Sequence, residues 1–244
     1  MATFKLTLEY DGTGYAGWQR QPGRPTIQAE IEAALQRIVR TRIAVIGAGR
    51  TDAGVHALGQ VASFRTDRAL MPREWIKALN AVLPSDIAVR SVEQAADDFH
   101  ARYSARMKVY RYRILNRRER SVFERTRAWH VRKPLDVEAM REGAALLIGR
   151  HDFSSFRDSQ TDTKDPVCRM CRLDLIEAKA VLRIELEADR FLKQMVRTIV
   201  GTLVEIGQGK RSPKAMKDIL DAHDRREAGY TAPPHGLYLV RATY

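Results

Sequence analysis

The sequence predicts an α+β protein made of two consecutive β-α-β-β-α-β units. Three observations predict it. Short stretches of period-two alternation, such as "TFKLTLEY", "KVYRYRIL" and "GLYLVRATY", recur along all 244 residues. Amphipathic stretches with a 3.6-residue period fall between them in the order of a split βαβ arrangement. The length suits two small domains with proper cores, and no Gly/Ser linker or low-complexity segment interrupts it.

The first unit follows element by element. "TFKLTLEY" is a strand. "TIQAEIEAALQRIVR" places Ile27, Ile31, Leu35 and Ile38 on one helical stripe. "IAVIGA" and "QVASFRT" read as two strands joined by a glycine-rich turn. "PREWIKALNAVLP" is a helix opened by Pro72 and closed by Pro84, and "DIAVRSVEQA" a closing strand. The second unit repeats the order loosely. "KVYRYRIL" puts Val109, Arg111 and Arg113 on one side and Tyr110, Tyr112 and Ile114 on the other. "DVEAMREGAALLIG" is a helix, "VCRMCRLDLIEAK" and "AVLRIELEAD" are paired strands, and "RFLKQMVRTIVGTLVEIG" is a long buried helix. "SPKAMKDILDAH" is a short helix with Ser212 as N-cap and Pro213 at its first position. The expected domains are 1–104 and 105–244, both of the ferredoxin-like or RRM-like kind.

Composition narrows the function. No window approaches the ~20 apolar residues of a membrane helix, and "MATFKLTLEYDG" runs straight into a strand rather than a signal peptide. Two cysteines make no disulfide framework, so a cytoplasmic protein is expected. The net charge of +12 is uneven: residues 1–104 carry 13 basic and 11 acidic groups, residues 105–244 carry 29 and 19. Arginine outnumbers lysine 32 to 10, which suits forked contacts to phosphate. From Ala105 to Lys133 there are eleven basic residues and two acids, interleaved with Tyr110, Tyr112, Phe123 and Trp129. Basic residues with aromatics track a nucleic-acid backbone and stack on its bases.

Several motifs carry little chemistry. "DGTGYAG" holds a G-x-G-x-x-G at Gly12, Gly14 and Gly17, but no helix opens after it, as a dinucleotide site requires. Cys168 and Cys171 form a lone C-x-x-C in a strand-like run, without the second pair a structural zinc needs. The six histidines show no metal-binding spacing. "HDFSSF" lacks the nucleophile elbow of a serine hydrolase. None of these motifs by itself supplies a metal, dinucleotide or redox site.

The turn "IGAGRTDAGVHALGQVASF" stands apart. Gly47, Gly49, Gly54 and Gly59 surround Arg50-Thr51-Asp52. Asp52 suits a turn cap; it also suits a nucleophile or base, with glycines that let a ligand or a second backbone approach. No second carboxylate lies nearby for a glycosidase-type pair. In a basic chain with stacking aromatics, the carboxylate points to chemistry on a nucleotide.

These residues carry a resemblance. "GAGRTDAGVHALGQVASF" resembles the signature of the TruA family of tRNA pseudouridine synthases. "LEYDGTGYAGWQRQP", "KVYRYRIL", "GRHDFSSF", "RFLKQMVRTIVGTL" and "PPHGLYLV" resemble further blocks of that family in the same order. The resemblance implies two domains sharing a continuous mixed, largely antiparallel sheet with a basic cleft between them. It implies isomerisation of uridine to pseudouridine at positions 38, 39 and 40 of the tRNA anticodon stem-loop, without cofactor, by a homodimer. Asp52 would be the catalytic carboxylate and Arg197 its cationic partner. Tyr110 would stack on the target base, Leu239 would pack beneath it, and Arg50 would help extrude the nucleotide. Arg111, Arg117 and Arg118 would meet the RNA backbone. Two rival readings remain: a tandem RRM-like binding module, and a nucleotide-cofactor enzyme that requires a helix at Tyr15–Gln21.

Overall fold

The computed structural model describes residues 1–159 and 165–244. Among them are ten strands and five α-helices, in two compact units. The first comprises Met1–Arg106 together with Tyr238–Tyr244, the second Met107–Leu237. The expected boundary after 104 therefore moves by two residues, and Tyr238–Tyr244 passes from the second domain to the first.

In the first unit, β1 (Ala2–Tyr10) lies antiparallel between β3 (His56–Thr66) and β4 (Ile87–Ala95). The other edge of β3 is shared. Its later residues pair with β2 (Ile46–Gly47), and its first two pair in parallel with β10 (Leu237–Thr243), Tyr238 opposite His56 and Leu239 opposite Ala57. The β1 alternation buries Phe4, Leu6, Leu8 and Tyr10 as expected. Phe4 stacks on Phe64 at 5.3 Å, and Trp75 of helix α2 (Pro72–Val82) meets the Phe64 ring edge-on at 5.2 Å. Helix α1 (Ile27–Val39) contributes Ile27, Ile31 and Leu35 to the core, while Ile38 is only half-buried. It ends at Arg40, whose φ of 65° closes the helix in the left-handed region.

The strand expected over residues 43–48 shrinks to two residues. The backbone of Val45 is bonded elsewhere: its N–H donates to Glu32 Oε1 (3.2 Å) and its carbonyl accepts from Gln28 Nε2 (2.9 Å), both on α1. Helix side chains take the groups a strand partner would have used.

In the second unit, β5 (Met107–Asn116) pairs antiparallel with β9 (Val181–Ala188), which pairs with β8 (Val167–Ala178), which pairs with β7 (Gly149–Asp152). The short β6 (Trp129–Val131) runs parallel to β5. Helices α3 (Val137–Ala145), α4 (Met195–Gly207) and α5 (Ala215–Ala222) complete it. The two short strands β6 and β7 make the second β-α-β-β-α-β order looser than expected. Helix α4 is buried along nearly its whole surface, and its only partly exposed residues are Arg197 and Glu205.

Two expected helix starts are displaced. The α4 helix opens at Met195 rather than near Arg190, because Gln194 adopts a φ of 62°. The preceding residues are tied down: Asp189 Oδ1 accepts the N–H groups of Arg169 and Arg190, and the Lys193 carbonyl accepts that of Asp158. Helix α5 opens at Ala215. The carbonyls of Ser212 and Pro213 accept from Ala215 and Met216, closing a turn before the helix instead of a Ser212 cap.

Candidate active site

The turn between β2 and β3 is fixed by hydrogen bonds on both flanks of Arg50 and Asp52. Before Arg50, the Gly49 carbonyl accepts from Gln60 Nε2 at 2.9 Å. Between the two, Thr51 is held twice. Its carbonyl accepts the Trp18 N–H at 3.0 Å, and its hydroxyl shares a hydrogen bond with the Tyr10 phenol at 2.8 Å. After Asp52, the chain reverses: the Asp52 carbonyl accepts the Val55 N–H at 3.1 Å, and Gly54 takes a φ of 77°. That conformation is why glycine stands there. The Gly54 N–H then donates to the Tyr15 carbonyl at 3.3 Å. From this fixed backbone Arg50 projects into solvent and Asp52 is half-buried.

The loop over residues 11–18 acts as the clamp. Gly12–Gly14 form a single 3-10 turn and no helix covers Tyr15–Gln21, so the nucleotide-cofactor reading falls. Its glycines serve contact with the Asp52 turn. A Cβ on Gly17, whose φ is 97°, would come within 2.5 Å of the Thr51 carbonyl oxygen, and one on Gly12 within 2.0 Å of that of Val55. The Gly12 N–H donates to His56 Nδ1 (3.1 Å), and the His56 ring stacks on Tyr238 of β10 at 4.7 Å. Of the turn's own glycines, Gly59 faces a second backbone, since a Cβ there would strike the Val240 carbonyl, whereas one on Gly47 would strike the Trp18 side-chain ring.

Burial reinforces the clamp. Tyr10 is enclosed, and burial pushes its phenol up to about 12, against the pull of its Thr51 and Gln60 hydrogen bonds. Tyr15, bonded to Asp86 Oδ1 at 2.6 Å, is raised well above the usual tyrosine range by burial and by that carboxylate. Both phenols stay neutral hydrogen-bonding groups at ordinary pH. Leu239 on β10 is fully buried opposite Ala57, close in the sheet to the base of the turn.

The other candidate residues lie in the second unit. Tyr110 on β5 is only 7% exposed and meets Phe191 edge-on, ring centres 5.0 Å apart. Arg197, in the first turn of α4, donates from Nε to the Ala232 carbonyl at 2.7 Å, while its own carbonyl accepts the Ala232 N–H. The adjoining Pro233 carbonyl accepts the Tyr112 hydroxyl at 2.7 Å. Burial raises Tyr112 well above the ordinary tyrosine range, opposed by the nearby Arg197 charge.

The basic run proves uneven in availability. Arg111 is bound through Nε and a terminal nitrogen to Glu185, both at 2.8 Å, directly across the sheet. Arg117 donates to the carbonyls of Glu119 and Arg120 but stays exposed, as does Arg118. Of the aromatics in the run, Tyr110 and Tyr112 are buried and Phe123 is 89% exposed. Cys168 is buried and Cys171 exposed, both with free thiols. Among the described residues no group of three or more His, Cys, Asp or Glu is placed to hold a metal ion, and no helix is long and apolar enough to cross a membrane.

Asp52, Arg50, Tyr110, Arg197 and Leu239 are legible in the sequence, but the groups that hold them are not. Tyr10 and Gln60 read as ordinary strand positions, and Phe191 as a residue of the long helix. The available signal was a polar pair, Gln60 and Thr51, in otherwise apolar surroundings.

A profile described as tRNA pseudouridine synthase matches residues 7–104 and 144–244. Among curated relatives, tRNA pseudouridine synthase A of Myxococcus xanthus is 47% identical over 246 residues, covering 100% of this chain and 92% of that one. The protein of the same name from Geobacillus kaustophilus is 49% identical, covering 98% and 93%. tRNA pseudouridine synthase A 2 of Clostridium perfringens is 42% identical, with all of both chains covered. A matching profile in both halves and relatives of this closeness over almost the full length of both partners place the chain in the tRNA pseudouridine synthase A family.

Proposed function

We propose that this isomerase converts uridine to pseudouridine at positions 38, 39 and 40 of the tRNA anticodon stem-loop, with Asp52 as its one catalytic carboxylate and no cofactor. The observation that carries this reading is the Asp52 turn, fixed at Gly49, Thr51, Gly54 and Val55 while the Asp52 side chain remains partly accessible. A rigid scaffold under an accessible carboxylate is what positioning a reacting group requires.

In the reaction, the N1–C1′ bond breaks, the base reorients, and C1′ bonds to C5. The C5 proton leaves and N1 acquires one, so no electrons are exchanged with a cofactor. Asp52 acts at C1′, at C6 or on the ribose. In this reading Arg197 is the cationic partner of the site, Tyr110 stacks on the target base, and Leu239 packs beneath it. Arg50 helps hold the nucleotide out of its helix, since the reacting atoms are inaccessible within a stack. Arg117 and Arg118 meet the RNA backbone. The enzyme works in the cytoplasm as a homodimer.

The test is tritium release from a tRNA transcript labelled at uridine C5, using wild type, Asp52→Asn and Asp52→Ala. Release is expected from wild type alone, with tRNA affinity kept in both variants. Release surviving in either variant would sink the catalytic assignment. A variant that binds and a wild type that binds without release would instead favour a non-catalytic RNA-binding module. Mapping the product by reverse transcription after carbodiimide treatment checks the three positions.

A further inference from the structure

The loop over residues 99–104 displays an aromatic ring to solvent and spends several hydrogen bonds on keeping it there. Tyr103 is 77% exposed. Its ring lies against His100, centres 4.4 Å apart and planes at 31°, with the Arg102 guanidinium 5.6 Å from its centre. The His100 ring is locked from below: Nδ1 accepts the N–H groups of both Arg102 and Tyr103, each at 3.2 Å. The His100 N–H donates to Ser104 Oγ (3.1 Å), and the Ser104 N–H returns to the His100 carbonyl (2.9 Å). Ala101 anchors the loop, its N–H on Ser63 Oγ and its carbonyl accepting the Tyr244 hydroxyl at 2.8 Å.

A singly exposed aromatic needs no explanation. An exposed ring backed by a fixed imidazole and flanked by a guanidinium has the composition that holds an unstacked nucleobase. Its place in the fold adds to this. Ala101 is fully buried in one small cluster with Val61 and Ala48, and Ala48 is two residues from Arg50. The loop is thus built on the same core as the root of the Asp52 turn. With Arg102 beside the ring and a net charge of +12, the matching occupant is a base from a polyanionic strand.

We propose that Tyr103, backed by His100 and Arg102, is an accessory platform on which an unpaired base of the RNA substrate stacks, apart from the base presented to Asp52. The proposal rests on the reading of the substrate as tRNA.

The experiment measures binding of an unmodified tRNA transcript across a salt series for wild type, Tyr103→Ala, Tyr103→Leu and Tyr103→Trp, with a thermal melt of each. Both Tyr103→Ala and Tyr103→Leu should bind roughly tenfold more weakly, the scale of one lost base stack. Their slope of log affinity against log salt should stay at the wild-type value, because no phosphate contact is removed. Tyr103→Trp should bind as wild type, and its added indole emission should be quenched by tRNA. Affinity of the alanine and leucine variants within twofold of wild type overturns the proposal. So does a flattened salt slope, or a changed sedimentation coefficient without a binding defect, which would make the ring a contact between copies. Wild type that binds tRNA but releases no tritium retires the functional reading above and leaves this comparison to be judged on its own.

Discussion

The phenol of Tyr10 and the hydroxyl of Thr51 share a 2.8 Å hydrogen bond inside the first unit, one residue from Asp52. Both groups are buried, so removing the phenol strands the Thr51 hydroxyl. Tyr10→Phe should cost about 1 kcal/mol of stability in a denaturant melt. It should lower kcat several-fold while leaving KM nearly unchanged, because the loosened turn misplaces Asp52 without touching the RNA surface. Turnover equal to wild type would show that Gln60 and Trp18 suffice to hold the turn.

The three glycines of the 12–17 loop should respond differently to one added methyl group. Gly14 has open space around its Cβ position, so Gly14→Ala should be close to neutral. Gly17→Ala forces a methyl to 2.5 Å from the Thr51 carbonyl at a left-handed φ, and should cost about 2 kcal/mol or more. Paired thermal melts decide it, and tritium release should fall only in the Gly17 variant. Equal melting temperatures would mean that the loop does not press on the turn.

Arg111 and Arg118 should separate into structural and RNA-binding roles. Arg118→Gln is expected to reduce the salt slope of tRNA binding by about one and leave stability unchanged. Arg111→Gln should leave the slope alone and lower stability, since Glu185, with its side chain only 13% exposed, loses its facing cation. An altered slope for Arg111→Gln would return it to the RNA interface.

Alkaline titration should reveal the buried phenols. Tyr10 and Tyr230 are pushed up to about 12, and Tyr15, Tyr112 and Tyr244 higher still, chiefly by burial. Each such group holds its proton in the folded state where the unfolded chain, with an ordinary value of 10.0, has lost it. Their contribution is therefore complete below pH 10 and is lost as pH rises from there through the folded values. For the enclosed Tyr10 the loss is about 1.4 kcal/mol per pH unit within that window. Absorbance at 295 nm should show only some of the eight tyrosines ionising near pH 10, the rest rising together with unfolding. A single transition near pH 10 with the fold intact would contradict the packing described.

Local patterns made much of this readable in advance. The β1 alternation and the Ile27–Ile31–Leu35 stripe are short-range signals, and both elements formed as expected. The Asp52 turn stood out through its glycines, though the purpose of those glycines did not. Whether Gly17 or Gly59 faces a ligand or a distant stretch of backbone depends on contacts with Thr51 and Val240, which no local pattern encodes. The same limit explains Arg111. Its place in a basic run is visible in the sequence, but Glu185 faces it only once β5 and β9 have paired. Residues 43–48 had the composition of a strand and lost that competition to Gln28 and Glu32 on a neighbouring helix.

The parallel pairing of Tyr238 with His56 also bears on how the molecule is made. A ribosome completes β1, β3 and β4 long before it reaches Tyr238, so the first sheet waits through synthesis of the whole second unit for its parallel strand. Until then His56 lacks its stacking ring and Ala57 its partner Leu239, just behind the Asp52 turn. Nascent chains halted before this segment should carry the Asp52 sequence without activity. Activity is then expected only in chains that have been made through β10.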